Sequence, residues 1–156
     1  MNLISPLLSV SHVAIDVDVR DKKDLFRQIG ALLETGIGLT AQQIADSLTS
    51  RERLGSTALG KSIAIPHGRV KGLREATGAF LRLRTPLPFE ALDGVPVNLV
   101  FVLLVPERAT DLHLEILSSL ANMFSDRDLR AQLASAPDAL AIQRAISNWQ
   151  PSSPPP

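Results

Sequence analysis

Cysteine is absent from the chain, which excludes disulfides, thiolate metal sites and cysteine nucleophiles. Net charge is absent as well: 16 Lys and Arg balance 16 Asp and Glu. That balance removes the electrostatic footprint of a nucleic-acid binder or an anionic-membrane binder, so any phosphate recognition must come from local placement of charge. Long apolar runs are also missing. The N-terminus has neither a basic n-region nor a long apolar h-region, and no later run approaches membrane-spanning length. These absences predict a soluble, cytoplasmic protein with no membrane insertion. The 156 residues suit one ordinary domain with one substantial core. No internal repeat or second boundary is visible, so residues 1–149 read as that domain. Residues 150–156, Gln-Pro-Ser-Ser-Pro-Pro-Pro, cannot contribute to a core and are expected to be a disordered tail.

What is present is an alternation of strand and helix patterns. Residues 3–8 carry no decisive pattern. From His12 to Val19, apolar Val13, Ile15, Val17 and Val19 alternate with more polar neighbours, the period of a half-buried strand with His12 on its solvated face. Asp21, with Asp24 three residues on, caps a helix whose Leu25, Phe26, Ile29, Leu32 and Leu33 recur at helical spacing until Gly36 and Gly38. Thr40 and Gln43 form a capping box for a second helix, expected to fray between Arg51 and Leu54. Ile63-Ala-Ile before Pro66 suggests a brief strand. Ala76–Arg84 alternates as a strand near a sheet edge, with Phe80, Arg82 and Arg84 on the second face, whereas Val97–Val105 is apolar on both faces, as a central covered strand requires. Thr110 or Asp111 then caps a helix, and two shorter helices follow near Asp126–Ala134 and Pro137–Trp149. Trp149 either covers the core or marks a contact surface. A sheet covered on both faces by helices satisfies this order.

The chemistry concentrates between Arg51 and Gly68. His67 lies between Pro66, which biases Ile65 to an extended backbone, and Gly68, which lets another group come close. This presents a side chain well, but a solvated loop histidine has the same local sequence. Taken alone, Arg51 and Arg53 read as surface residues at a helix end and His113 as a solvent-satisfied helix residue. Asp93, before Gly94, reads as a turn residue. His12, His67 and His113 lie on separate elements with no metal-ligand spacing, so no metal site is expected.

The motifs carry more together than singly. Arg51-Glu-Arg-Leu-Gly-Ser-Thr, Ile63-Ala-Ile-Pro-His-Gly, Pro88-Phe-Glu-Ala-Leu-Asp-Gly-Val-Pro-Val, Leu103-Leu-Val-Pro and Leu112-His-Leu occur in this order and spacing. The set resembles the phosphotransferase-system IIA proteins of the fructose/mannitol class, most closely their nitrogen-regulatory branch, over residues 5 to 148. The resemblance implies a three-layer α/β fold with a mixed, mostly parallel five-stranded sheet flanked by helices. It implies His67 as the phosphorylated residue, in the tele (Nε2) position, with His113 as the second active-site histidine and Arg51 as the nearby arginine. No cofactor is implied.

The implied donor is a small phosphohistidine carrier protein of the nitrogen type. The implied targets are regulated proteins such as potassium-transport or sensor-kinase components. The alternative is a sugar-transport IIA component passing the group to a IIB domain; the lack of a IIB or IIC region in this sequence favours the regulator. A third reading is a binding module without phosphate turnover, against which the intact His67, Arg51 and His113 set argues.

The residue types suit these roles. Neutral imidazole is a competent nucleophile near neutral pH, and phosphohistidine retains a high transfer potential. Arg51 offers a permanently charged fork for phosphoryl oxygens, and the hydroxyls of Ser56 or Thr57 are candidate further donors. In a helix first turn, His113 meets a dipole that favours the neutral ring and also favours bound phosphate. It is expected to orient His67 or the incoming group without carrying it.

Overall fold

A computed structural model describes residues 2–108 and 110–151; the expected disordered tail, from Ser152 onward, lies outside the described residues. Six strand segments form one sheet: β1 (Val13–Val17), β2 (Ala58–Gly60), β3 (Ile63–Ala64), β4 (His67–Val70), β5 (Thr77–Leu87) and β6 (Val97–Pro106). The order is β1-β5-β6-β3-β2, with β4 also on β6. Because β3 runs parallel to Leu99–Val100 and β4 to Leu103–Pro106 of the same strand, β3 and β4 are successive pieces of one lane. The sheet therefore has the expected five lanes. Its β1/β5, β3/β6 and β4/β6 pairs are parallel, and its β5/β6 and β2/β3 pairs antiparallel.

Helices α1 (Lys22–Ile37) and α2 (Ala41–Arg53) cover one face, and α3 (Thr110–Phe124), α4 (Arg127–Ser135) and α5 (Ala139–Asn148) the other. The central strand β6 explains this division. Its Leu99, Phe101, Leu103 and Val105 enter the core under α3–α5, while Val100, Val102 and Leu104 enter the core under α1 and α2. An all-apolar strand is what two cores sharing one sheet demand.

The helix boundaries follow their caps. Asp21 accepts from the Asp24 amide, and Gly38 ends α1 at φ 74°, a conformation glycine adopts without a Cβ penalty. Gly36 lies inside the helix. Thr40 and Gln43 complete the capping box of α2, which continues to Arg53 without the expected fraying because Leu54 N and Gly55 N close back on Arg51 O and Glu52 O. Asp126 and Asp138 cap α4 and α5 with their side chains.

Three strand-level expectations change. His12 ends a 3-10 turn (Val10–His12) rather than opening β1, and its half-buried ring packs beside Gly36, so it is not a solvated residue. Within β1, Asp16 adopts φ 54° and the register to β5 shifts between Ala14 and Val17. That bulge sends Val17 to the opposite core from Val13 and Ile15. In β5, one lane in from the edge, Phe80 is fully buried; Arg82 extends beneath α4 and donates to Leu133 O (3.0 Å) and Ala136 O (2.8 Å). The α4 carbonyls that Arg82 satisfies would otherwise be orphaned at the helix end. Trp149 packs on the core and donates through Nε1 to Asp126 (2.8 Å), which resolves its two readings in favour of covering the core. No described helix is long and apolar enough to cross a membrane.

Candidate functional site

The β3/β4 lane is interrupted at Ile65-Pro66, and β4 restarts with His67 paired against Leu103 of β6. The break places the His67 ring at the sheet's helix-covered margin, beside the last turn of α2 and the first turn of α3. His67 and His113 meet edge to face, with centroids 5.5 Å apart and planes at 80°. Arg51 reaches in from α2: its Nε donates to His67 Nε2 (3.2 Å) while Nη1 donates to Gly55 O (2.8 Å). On the far side of the ring, His67 Nδ1 lies 2.7 Å from Ile65 O.

These contacts select one tautomer. A carbonyl only accepts, so Nδ1 carries the proton; a guanidinium only donates, so Nε2 presents its lone pair. Burial holds the His67 imidazole below its ordinary value of 6.5. The Ile65 carbonyl opposes that shift, the Arg51 charge adds to it, and the Glu52 carboxylate also opposes it. His113 is displaced downward chiefly by burial, then by the neighbouring His67, Arg69 and Arg51 charges. The direction is the one expected for a helix first turn, but its causes are burial and these neighbouring groups rather than the helix dipole. His113 Nδ1 is buried with no hydrogen-bond partner among the described residues.

Arg51, His67 and His113 thus come together in a shallow depression of about 470 Å³. Its wall also contains Ser47, Ser50, Leu54, Gly68 and Arg69, and no carboxylate. A Cβ on Gly68 would collide with Ser47 Oγ, so glycine is required for the close approach of β4 to α2. Ser47 Oγ in turn donates to Arg69 O (3.0 Å). Arg69 escaped the sequence reading, but strand periodicity contains the signal: two residues beyond His67, it shares that residue's side of β4.

Ser56 and Thr57 do not supply donors here. Ser56 Oγ donates to Phe89 O (2.6 Å) and Thr57 Oγ1 to Glu52 Oε1 (2.6 Å). Arg53 lines the neighbouring α1–α2 cleft rather than this depression. Asp93 is structural: its carboxylate accepts from Lys61 N (2.7 Å) and Val95 N (3.1 Å), tying the loop before β6 to the β2–β3 turn.

Chemically, a neutral imidazole whose lone pair is held by a guanidinium N–H stands beside fixed positive charge, an arrangement that can attack an electrophile once the guanidinium turns to the anion that electrophile carries.

Known proteins carry the same arrangement of sequence and fold. The family described as "Phosphoenolpyruvate-dependent sugar phosphotransferase system, EIIA 2" matches residues 6–149. A nitrogen regulatory protein of Pseudomonas aeruginosa is 41% identical over 148 residues, covering 94% of this chain and 96% of that one. The crystal structure of nitrogen regulatory protein IIA-Ntr from Neisseria meningitidis superposes with a TM-score of 0.88 at 46% identity, over 93% of this chain and 99% of that one. The IIA mannitol structure from Escherichia coli shares the fold at 22% identity, with a TM-score of 0.74 over 89% of this chain and 98% of that one. With nearly the whole chain inside the family match, and a relative above 40% identity aligned end to end, the protein belongs to the type 2 EIIA family of the phosphoenolpyruvate-dependent phosphotransferase system.

Proposed function

We propose that this chain is a phosphohistidine-carrying regulator of the nitrogen branch, acting in the cytoplasm. It accepts a phosphoryl group on His67 Nε2 from a phosphocarrier protein and alters its binding to target proteins according to phosphorylation state. The observation that carries the reading is the pair of hydrogen bonds on His67, Nδ1–H to Ile65 O and Arg51 Nε–H to Nε2. They leave the lone pair on the nitrogen that faces positive charge. In the transfer, the Nε2 lone pair forms the new N–P bond as the donor's P–N bond breaks, and the bonding pair returns to the donor imidazole. The proton stays on Nδ1, hydrogen-bonded to Ile65 O, and the donor ring, protonated on its second nitrogen, leaves as neutral imidazole. Arg51 exchanges its contact with Nε2 for the phosphoryl oxygens, Arg69 adds a second positive charge, and His113, edge-on to the His67 ring, keeps that ring oriented as the group arrives.

The regulatory assignment draws on the similarity to the nitrogen regulatory proteins of Pseudomonas aeruginosa and Neisseria meningitidis. Potassium-transport and sensor-kinase components are the targets to assay first. To test the reading, the purified chain is incubated with phosphoenolpyruvate, the first-stage enzyme and either a nitrogen-type or a sugar-type carrier, and acid-labile phosphate is followed. Label from the nitrogen-type carrier, absent in His67→Ala, is expected. An unlabelled wild type overturns the proposal. Preference for the sugar-type carrier with onward transfer to a IIB domain reassigns the chain to sugar transport.

A further inference from the structure

The residue next to Arg51 faces the other way and is almost fully enclosed. Glu52, whose side chain is 7% exposed, accepts from Lys22 Nζ (2.8 Å), Thr57 N (3.2 Å) and Thr57 Oγ1 (2.6 Å). A buried carboxylate is costly unless every partner is in place, and this one spends most of its capacity on a single residue of the α2–β2 loop. Thr57, itself buried, passes the constraint on: its carbonyl accepts from Ile65 N (3.0 Å), and Ile65 O accepts from His67 Nδ1 (2.7 Å). A continuous chain of hydrogen bonds therefore joins the carboxylate of Glu52 to the ring of His67.

We propose that Glu52 is a positioning residue for phosphoryl acceptance, holding Thr57 so that the Ile65 carbonyl keeps His67 protonated at Nδ1 and unprotonated at Nε2. The inference rests on the phosphohistidine reading given above. Its logic is steric as well as electronic. If the Ile65 carbonyl moves out of line, the proton is free to occupy Nε2, where it removes the nucleophilic lone pair and confronts the Arg51 Nε–H donor to donor. Glu52 also closes the last turn of α2, where its backbone carbonyl accepts from Gly55 N (3.1 Å) and Arg51 Nη1 holds Gly55 O (2.8 Å). One residue thus stands behind both the tautomer and the seat of the guanidinium. Its amide isostere keeps an acceptor but adds a donor and loses the charge that pairs with Lys22.

The test uses the full chain as wild type, Glu52→Gln and Thr57→Val. Long-range proton–nitrogen NMR reads the His67 tautomer, and single-turnover transfer from a carrier charged with phosphoenolpyruvate reads kcat and KM. The wild type is expected to show one tautomer, with Nδ1 protonated. Both variants are expected to show a mixture, a kcat lower by about 10- to 100-fold and a KM for the carrier within about twofold of wild type. Folded variants with a single Nδ1–H tautomer and wild-type kcat overturn the proposal, as does a loss confined to KM. If Glu52→Gln does not fold, Thr57→Val, which removes the hydroxyl at nearly constant volume, decides. A wild type that takes no phosphate sinks the functional reading alone, and the tautomer spectra still decide the role of Glu52.

Discussion

Two depressions adjoin α2, and they are built on opposite principles. The larger, about 1100 Å³ between α1 and α2, is lined by Arg20, Lys22, Lys23, Arg27 and Arg53 against Asp21, Asp24, Asp46, Glu52 and Glu90, so its formal charges cancel. Most are spent on neighbours: Asp24 on Arg27 and the Arg20 amide, Glu52 on Lys22 and Thr57. The smaller, about 470 Å³, holds Arg51 and Arg69 with two histidines kept neutral by burial, and its lining has no acid. Size therefore points away from the proposed phosphoryl acceptor, and uncompensated charge points toward it. An incoming dianionic phosphoryl group meets net attraction only in the smaller hollow.

The comparison breaks first at Arg51. Arg51→Ala removes the positive group that faces Nε2 and the donor that selects the lone pair; phosphoryl acceptance is expected to fall by about 100- to 1000-fold, with thermal stability nearly unchanged. Quench-flow transfer from a charged carrier measures the first quantity and differential scanning calorimetry the second. A loss below tenfold would mean that the smaller hollow does not work by charge. Gly68→Ala is next. The new methyl displaces Ser47, which lines the hollow and fixes the Arg69 carbonyl, and a loss of about tenfold in transfer is expected. A Ser47→Ala change in the same background, by making room, should restore part of it.

The proton balance gives the third test. Because the folded state keeps His67 below its ordinary 6.5, transfer is expected to decline, as the ring protonates, at a lower pH than an ordinary imidazole would impose. Stability follows the same sign. His12, His67 and His113 all bind protons more weakly folded than unfolded, so their contribution is fully present above 6.5 and is lost as pH falls toward the folded values. Asp24, Asp93 and Asp126, held below 3.8 by hydrogen bonds, add a second loss at lower pH. Urea midpoints should drop between pH 7.5 and 5.5 and again below 4. A flat midpoint over the first interval would contradict neutral buried histidines.

How far the sequence reveals this arrangement depends on whether the signal is local. Caps at Asp21 and Thr40 and the two-faced β6 are local patterns, and all are realised. The Asp16 bulge is not, because a left-handed aspartate within an alternating run becomes visible only through its register to β5. The site divides the same way. Pro66-His67-Gly68 is recognisable as a presented histidine, and Arg69 follows from strand period, but Ser47 enters only because β4 crosses α2 closely. His113 lies 46 positions from His67 in sequence, and no periodicity pairs them. The pairing is implied by the family resemblance, and the parallel β4/β6 contact places α3 beside the ring. Glu52 shows no role in the sequence beyond its place in a motif, because its partners Lys22 and Thr57 come from a different helix and the following loop.

The smallest expected effect lies in the larger cleft. Arg27 is 67% exposed and pairs with Asp24 within one helix turn, a geometry that contributes little in water because solvent screens it and side-chain entropy offsets it. Asp24 keeps the Arg20 amide (3.0 Å) and Gln28 Nε2 (3.2 Å) when that partner is removed. Arg27→Gln should therefore leave phosphoryl acceptance within about twofold and lower the melting temperature by no more than about 3 °C. Removing a cation from a neutral cleft leaves a net negative charge there, but Arg27 is absent from the residues lining the His67 hollow, and physiological salt screens beyond about 8 Å. Transfer measured at 20 mM and 150 mM salt separates the two cases. Equal rates at both concentrations mean that the depressions are electrically independent, whereas a variant slowed only at low salt would show that the larger cleft tunes the field at His67.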